Sequence, residues 1–120
     1  GANTPVRVQG ISWNDVTPEQ VADGVTRQVV DGAQQTIVRY VYQPGAVFPR
    51  HYHPQEQVTV VLSGRIEFTI ADEVVTLGPD DLVVIPGGVP HGARVLGDTV
   101  VESINTLSPR RTDHPDPSGR

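Results

Sequence analysis

His51 and His53 stand two residues apart in the stretch HYHPQEQ, and Gln57 follows four residues after the second histidine. A third histidine, His91, closes the stretch PGGVPH at residues 86–91. Imidazole nitrogens and a carboxamide oxygen are ligands for a divalent transition metal, with Zn, Ni, Mn, Fe and Co all compatible. The chain has no cysteine. That excludes disulfides, thiolate nucleophiles, cysteine-held zinc, iron–sulfur clusters and blue copper. All nine basic residues are arginine, so Schiff-base chemistry on a lysine is excluded as well. A metal in this chain must be held by histidine nitrogen and by oxygen.

Side chains alternate between the two faces of a strand. His51, His53 and Gln57 share parity, and Glu56 has the opposite one. The expectation is that Gln57, not Glu56, accompanies the histidines, with Pro54 as the place where a bulge could shift the register. Pro86, Gly87 and Gly88 imply a tight turn, and Pro90 fixes the approach to His91. A rigid turn presenting one histidine suits a preorganised fourth ligand. The remaining histidine, His114, falls in a polar tail.

Three further residues are candidates for a catalytic role. Arg111 could hold a substrate carboxylate bidentately, or be a solvated arginine of the tail. Tyr40 and Tyr42 share one strand face. Facing inward they are general-acid candidates; facing outward they pack at the surface or an interface. Glu102 has the opposite parity to Asn105 and should point away from it.

The elements that must position these groups are short. Twelve glycines and eleven prolines divide the chain of 120 residues, and between them lie runs rich in Val, Ile, Thr and Tyr. The runs span residues 5–13, 25–30, 35–42, 46–53, 57–63, 65–70, 73–77, 81–86, 91–96 and 98–107. Such runs with turn signals between them predict an all-β sandwich or barrel. Gly64 supplies a positive φ at one tight hairpin connection. The sequence Thr17-Pro18-Glu19-Gln20 has the form of a capping box, which predicts one short N-terminal helix over residues 18–22, stopped by Asp23-Gly24. The length is that of one domain. It divides into an arm and helix at 1–24, a β barrel at 25–108 and a partly disordered tail at 109–120. The formal charge of −5 without a basic run argues against nucleic acid. No apolar run approaches a membrane span and no signal-peptide pattern opens the chain, so a cytoplasmic protein without a membrane partner is expected. The arm at residues 5–13 could pair with a neighbour's sheet, which predicts a homodimer.

Read together, Gly45, His51, His53, Gln57 and Gly64, then Pro86, Gly88 and His91, resemble the two motifs of the cupin superfamily. Gln57 replaces the usual Glu, Asp80 the usual Gly and Val95 the usual Asn. The resemblance implies a cupin jelly-roll β barrel and the metal ligands His51, His53, Gln57 and His91. The chain is also similar to the small single-domain cupins of pectin and alginate breakdown, which use three histidines and one glutamine and linearise unsaturated monouronates. Their C-terminal pattern Asp-x-Phe-Ser-Pro-x-Arg is matched here by Ser108, Pro109 and Arg111. Asn105 and Leu107 depart from it, and an Asn cannot exchange a proton as a carboxyl group does.

Three neutral imidazoles and a carboxamide put no charge on a divalent cation. Such a site leaves the metal more Lewis acidic than one with a glutamate ligand. It also differs from the two-His, one-carboxylate triad of non-haem iron oxygenases. Both points favour redox-neutral lyase, isomerase or cyclase chemistry on a small-molecule substrate, an unsaturated sugar acid or a polyketide-like enol. The alternatives are a metal-dependent dioxygenase and a non-catalytic cupin that binds metal or a small ligand.

Overall fold

The computed structural model describes residues 8–112. After a 3-10 turn at Trp13–Asp15, capped by the Ser12 side chain, every regular element among the described residues is a β-strand. In chain order these are β1 (Glu19–Ala22), β2 (Val25–Asp31), β3 (Thr36–Tyr42), β4 (Val47–His51) and β5 (Glu56–Ser63), followed by β6 (Ile66–Ile70), β7 (Glu73–Leu77), β8 (Leu82–Ile85), β9 (His91–Val95) and β10 (Val101–Ser108). Two antiparallel sheets form, one of six strands in the order β1-β2-β3-β10-β5-β8 and one of four in the order β4-β9-β6-β7. This is the expected all-β jelly roll.

Strict alternation builds the inner face of the larger sheet. Along β3, Thr36, Val38, Tyr40 and Tyr42 are buried, and along β10, Val101, Ser103, Asn105 and Leu107 are buried. Register stacks these into rows, because Tyr40 is paired with both Arg27 and Ser103, and Asn105 with both Val38 and Thr59. Glu102 lies on the other face from Asn105 and makes an ion pair with Arg39 at 3.5 Å. The core between the sheets includes the fully buried aliphatic residues Val25, Val61, Ile66, Ile85 and Val101 beside Tyr40, Tyr42 and Phe68. Gly64 has the expected positive φ of 79°, and a Cβ there would run into the Val100 carbonyl oxygen.

The helix expected at residues 18–22 is not formed. That segment is β1, which pairs with β2 so that Glu19 faces Arg27. Asp23-Gly24, read as a helix stop, is a hairpin turn with Gly24 at φ 70°. Four residues make barely one helical turn, so the hydrogen bonds of a strand pair outweigh a capping box. The short helical turn lies instead at Trp13–Asp15. Of the N-terminal run at 5–13, residues 8–12 carry no strand, and residues 5–7 lie outside the described residues.

Candidate functional site

Two backbone irregularities bring the histidines together. The pairing of β4 with β9 slips between Phe48 and His51, and beyond the slip His51 stands directly opposite His91. The chain then leaves the smaller sheet, passes through residues 52–55 and enters the larger sheet as β5. His51, His53 and Gln57 therefore do not lie on one regular strand, and shared parity is not what unites them. His53 sits in the connection, and Gln57 faces inward by the alternation of β5 itself. The turn before His91 is fastened to that connection. The Gly88 amide donates to the His53 carbonyl at 2.8 Å, and a Cβ on Gly87 would collide with the Pro54 carbonyl oxygen.

Each ring is oriented by a carbonyl two residues away. His51 Nδ1 lies 2.8 Å from Pro49 O, His53 Nδ1 3.1 Å from Gln55 O and His91 Nδ1 2.9 Å from Val89 O. An N–H on Nδ1 satisfies each carbonyl and leaves the Nε2 lone pair free to bind. One nitrogen from each ring falls in a cluster no wider than 4.8 Å. His91 Nε2 is buried with no hydrogen-bond partner. His53 Nε2 faces Gln57 Oε1 at 3.0 Å. With Nδ1 protonated, both of these atoms are lone-pair donors, and their close approach fits a cation shared between them. Two ligands at right angles on one ion, each about 2.1 Å away, stand about 3.0 Å apart. The donor set thus fits a divalent metal. Burial lowers the His91 pKa to about 4. It lowers His51 too, with the charges of His53 and Arg111 acting in the same direction. These two rings thus favour the neutral form that a ligand needs.

The cluster opens into a cavity of about 470 Å³ between the sheets. Phe48, Phe68, Ala93 and Leu107 form apolar wall, and Tyr40, Tyr42, Arg27, Asn105 and Arg111 add polar groups. Every candidate from the sequence except His114, which lies outside the described residues, lines this one space. Tyr40 and Tyr42 face inward and stack at a centroid distance of 5.6 Å, with Tyr40 edge-on to Phe48. Burial raises both phenol pKa values; at Tyr40 the neighbouring Arg27 opposes the rise, whereas at Tyr42 the charge on Tyr40 adds to it. Arg111 is carried just past β10, where its backbone N–H donates to Thr36 Oγ1 at 3.0 Å.

Arg27 was not anticipated. It is a buried residue of β2 beside Tyr40, and its guanidinium lies 3.6 Å from Glu19. Its signal was present in Val25-x-Arg27-x-Val29, an arginine on the apolar parity of a strand. Among the described residues that line the cavity there are two arginines and three histidines but no aspartate or glutamate.

The family model described as "Cupin domain" matches residues 38–106, which include all four proposed ligands. Dimethylsulfoniopropionate lyase DddQ from Ruegeria pomeroyi is 38% identical over 65 residues, covering 52% of this chain and 32% of the relative. Polyketide synthase CurC from Streptomyces cyaneus is 33% identical over 70 residues, covering 58% and 46%. The matches thus span less than half the length of both relatives. Among solved structures, KdgF from Halomonas sp. superposes with a TM-score of 0.79 at 28% identity, over 89% of this chain and 98% of that one.

Proposed function

The chain belongs to the cupin family, and we propose that it is a metal-dependent enzyme performing lyase- or isomerase-type chemistry on a small carboxylate-bearing substrate. One observation carries this reading. A single cavity holds three histidine nitrogens, a carboxamide oxygen and two guanidinium groups, and no carboxylate of the described residues lines it. His51, His53, His91 and Gln57 would hold one divalent ion, which supplies Lewis acidity to a substrate oxygen. Arg27 and Arg111 take the substrate carboxylate and fix its distance from the histidines. Tyr40, protonated at neutral pH and beside Arg27, gives a proton to the carbon or oxygen where charge develops. Tyr42 lacks such a cationic neighbour and serves as the stacking support of Tyr40. Phe48, Phe68 and Leu107 keep water from the reacting atoms. The relatives support this reading: one is named as a lyase of a propionate, another as a polyketide synthase.

Elemental analysis of the purified protein is the first test, with about one divalent metal per chain expected. A panel of unsaturated uronates, β-substituted propionates and enolisable keto acids is the second, followed by loss or gain of conjugated-alkene absorbance. Metal-free protein that stays inert after loading with each candidate ion would overturn the reading. The three-histidine cluster also favours a second reading, an iron dioxygenase. Oxygen consumption by iron-loaded protein separates the two. For the assembly we propose a homodimer. Leu82 and Val84 on the edge strand β8 expose 56% and 52% of their surface, an apolar edge suited to a second copy. Light scattering showing a monomer across micromolar to millimolar concentration would remove that.

A further inference from the structure

Gln57 can bind a metal only through its oxygen, yet a carboxamide is nearly symmetrical in shape. Something must decide which end faces the histidines. Thr59 follows two residues later on the same inner face of β5, and Asn105 of β10 stands directly opposite Thr59. The three side chains form one line. Gln57 Nε2 donates to Thr59 Oγ1 at 2.9 Å, and Thr59 Oγ1 donates to Asn105 Oδ1 at 2.7 Å. Thr59 is wholly buried, so water does not compete for its hydroxyl.

From this line we infer that Asn105 and Thr59 are positioning residues that set the polarity of Gln57. A hydroxyl has one proton. Asn105 Oδ1 accepts it, which leaves Thr59 Oγ1 as an acceptor toward Gln57. Only the NH2 end of Gln57 satisfies that acceptor, so Oε1 is turned toward His53, where it lies at 3.0 Å. Position 105 thus acts on the metal site through two hydrogen bonds, an effect that needs no contact with substrate. An aspartate at 105 could only accept, and would impose the same direction. An asparagine can also donate. If its amide turned over, the Thr59 proton would pass to Gln57 and the NH2 end would face the histidines. The inference rests on the proposed metal site.

Cobalt(II) titration of metal-free protein tests it, read by affinity and by the d–d absorption spectrum. Thr59→Val should weaken cobalt binding by about 10–100-fold, the usual cost of losing an outer partner of a ligand, and should change the spectrum. Thr59→Ser should restore both. In a Gln57→Ala background Thr59→Val should have no further effect, because the hydroxyl acts only through Gln57. Asn105→Ala should reproduce Thr59→Val, and it supplies the answer if the valine variant does not fold. Wild-type affinity and spectrum in Thr59→Val or Asn105→Ala would overturn the relay while leaving the metal site intact. So would an undiminished effect of Thr59→Val without Gln57. Wild-type protein that takes up no cobalt would overturn the metal site itself.

Discussion

Two parts of the cavity wall, one carrying the histidines and one carrying Arg27, are built on different kinds of backbone. At the histidine end the chain is irregular. A slipped ladder before His51, a connection between sheets at His53 and a glycine turn before His91 supply the three rings. At the arginine end it is regular. Arg27, Tyr40 and Ser103 lie in one row across β2, β3 and β10, in unbroken register. Converging several nitrogens within a few ångströms demands close backbone approach from separate directions, which straight strands about 4.8 Å apart do not offer. A substrate-binding wall needs only side chains standing side by side on one sheet face. The histidine end is thereby sensitive to local backbone geometry, and the arginine end to the charge and length of its side chains.

The largest expected effect breaks the first end alone. His51→Ala together with His53→Ala should abolish stoichiometric metal binding, measured by elemental analysis, while the protein keeps its β fold by circular dichroism. Retention of one metal per chain by that double variant would place the site elsewhere. Gly87→Ala should reach the same end without touching a ligand. The added Cβ meets the Pro54 carbonyl oxygen, so the turn must move away from the His53 connection. Weaker metal binding and a lowered melting temperature are expected, and an unaltered metal affinity would show that the turn is not part of the site.

Arg27→Met breaks the second end. The cost should be about 10–150-fold in kcat/KM for a carboxylate substrate, the range for a charged hydrogen bond of about 1.5–3 kcal/mol, with metal content unchanged. Equal losses for a neutral ester analogue would argue for a structural role instead. Gln57→Glu sharpens the contrast between the ends. It should bind metal more tightly and turn over more slowly, because the added negative charge offsets the cation and opposes the incoming carboxylate. Undiminished turnover with metal bound would mean that charge at the metal does not matter.

The smallest effect is one of pH on the metal-free protein. The folded rings of His91 and His51 resist protonation, whereas in the unfolded chain they take up protons below about pH 6.5. The unfolded state therefore binds more protons, and stability falls as pH drops from about 6.5 toward 4. Thermal unfolding at pH 7 and pH 5 should show this fall, and His91→Gln should reduce it. An identical pH dependence in that variant would assign the fall to other groups.

The histidine end was legible in the sequence because the irregular backbone leaves punctuation. Gly45, Gly64, Pro86 and Gly88 mark where the chain must turn, and they frame the rings. Gln57 faces inward and Glu56 outward, but by the alternation of β5 rather than through a strand shared with the histidines. The arginine end left no such marks. Its residues become neighbours through register, which joins strands distant in sequence, so Arg27 went unnoticed and the face of Tyr40 and Tyr42 stayed open. Alternation with Val38 on β3, and with Val25 and Val29 on β2, was the available clue. The segment at 18–22 was misread because its start resembles a helix cap and its Asp-Gly pair fits a helix stop as well as a hairpin. Pairing with β2, a contact beyond the local sequence, decided between them.

The absence of any Asp or Glu among the described residues lining the cavity bears on how product departs. Lyase and isomerase reactions that leave the carboxyl group intact keep a carboxylate in at least one product. In the proposed site Arg27 and Arg111 would hold that group as well as they held it before the reaction, and no like charge among the described lining residues would hasten its exit. Release would then be a slow step, and simple carboxylates, phosphate or sulfate in the buffer would act as competitive inhibitors. Turnover measured in an uncharged or bulky-cation buffer at low anion concentration would exceed that measured in phosphate, and raising the ionic strength would speed release while weakening capture.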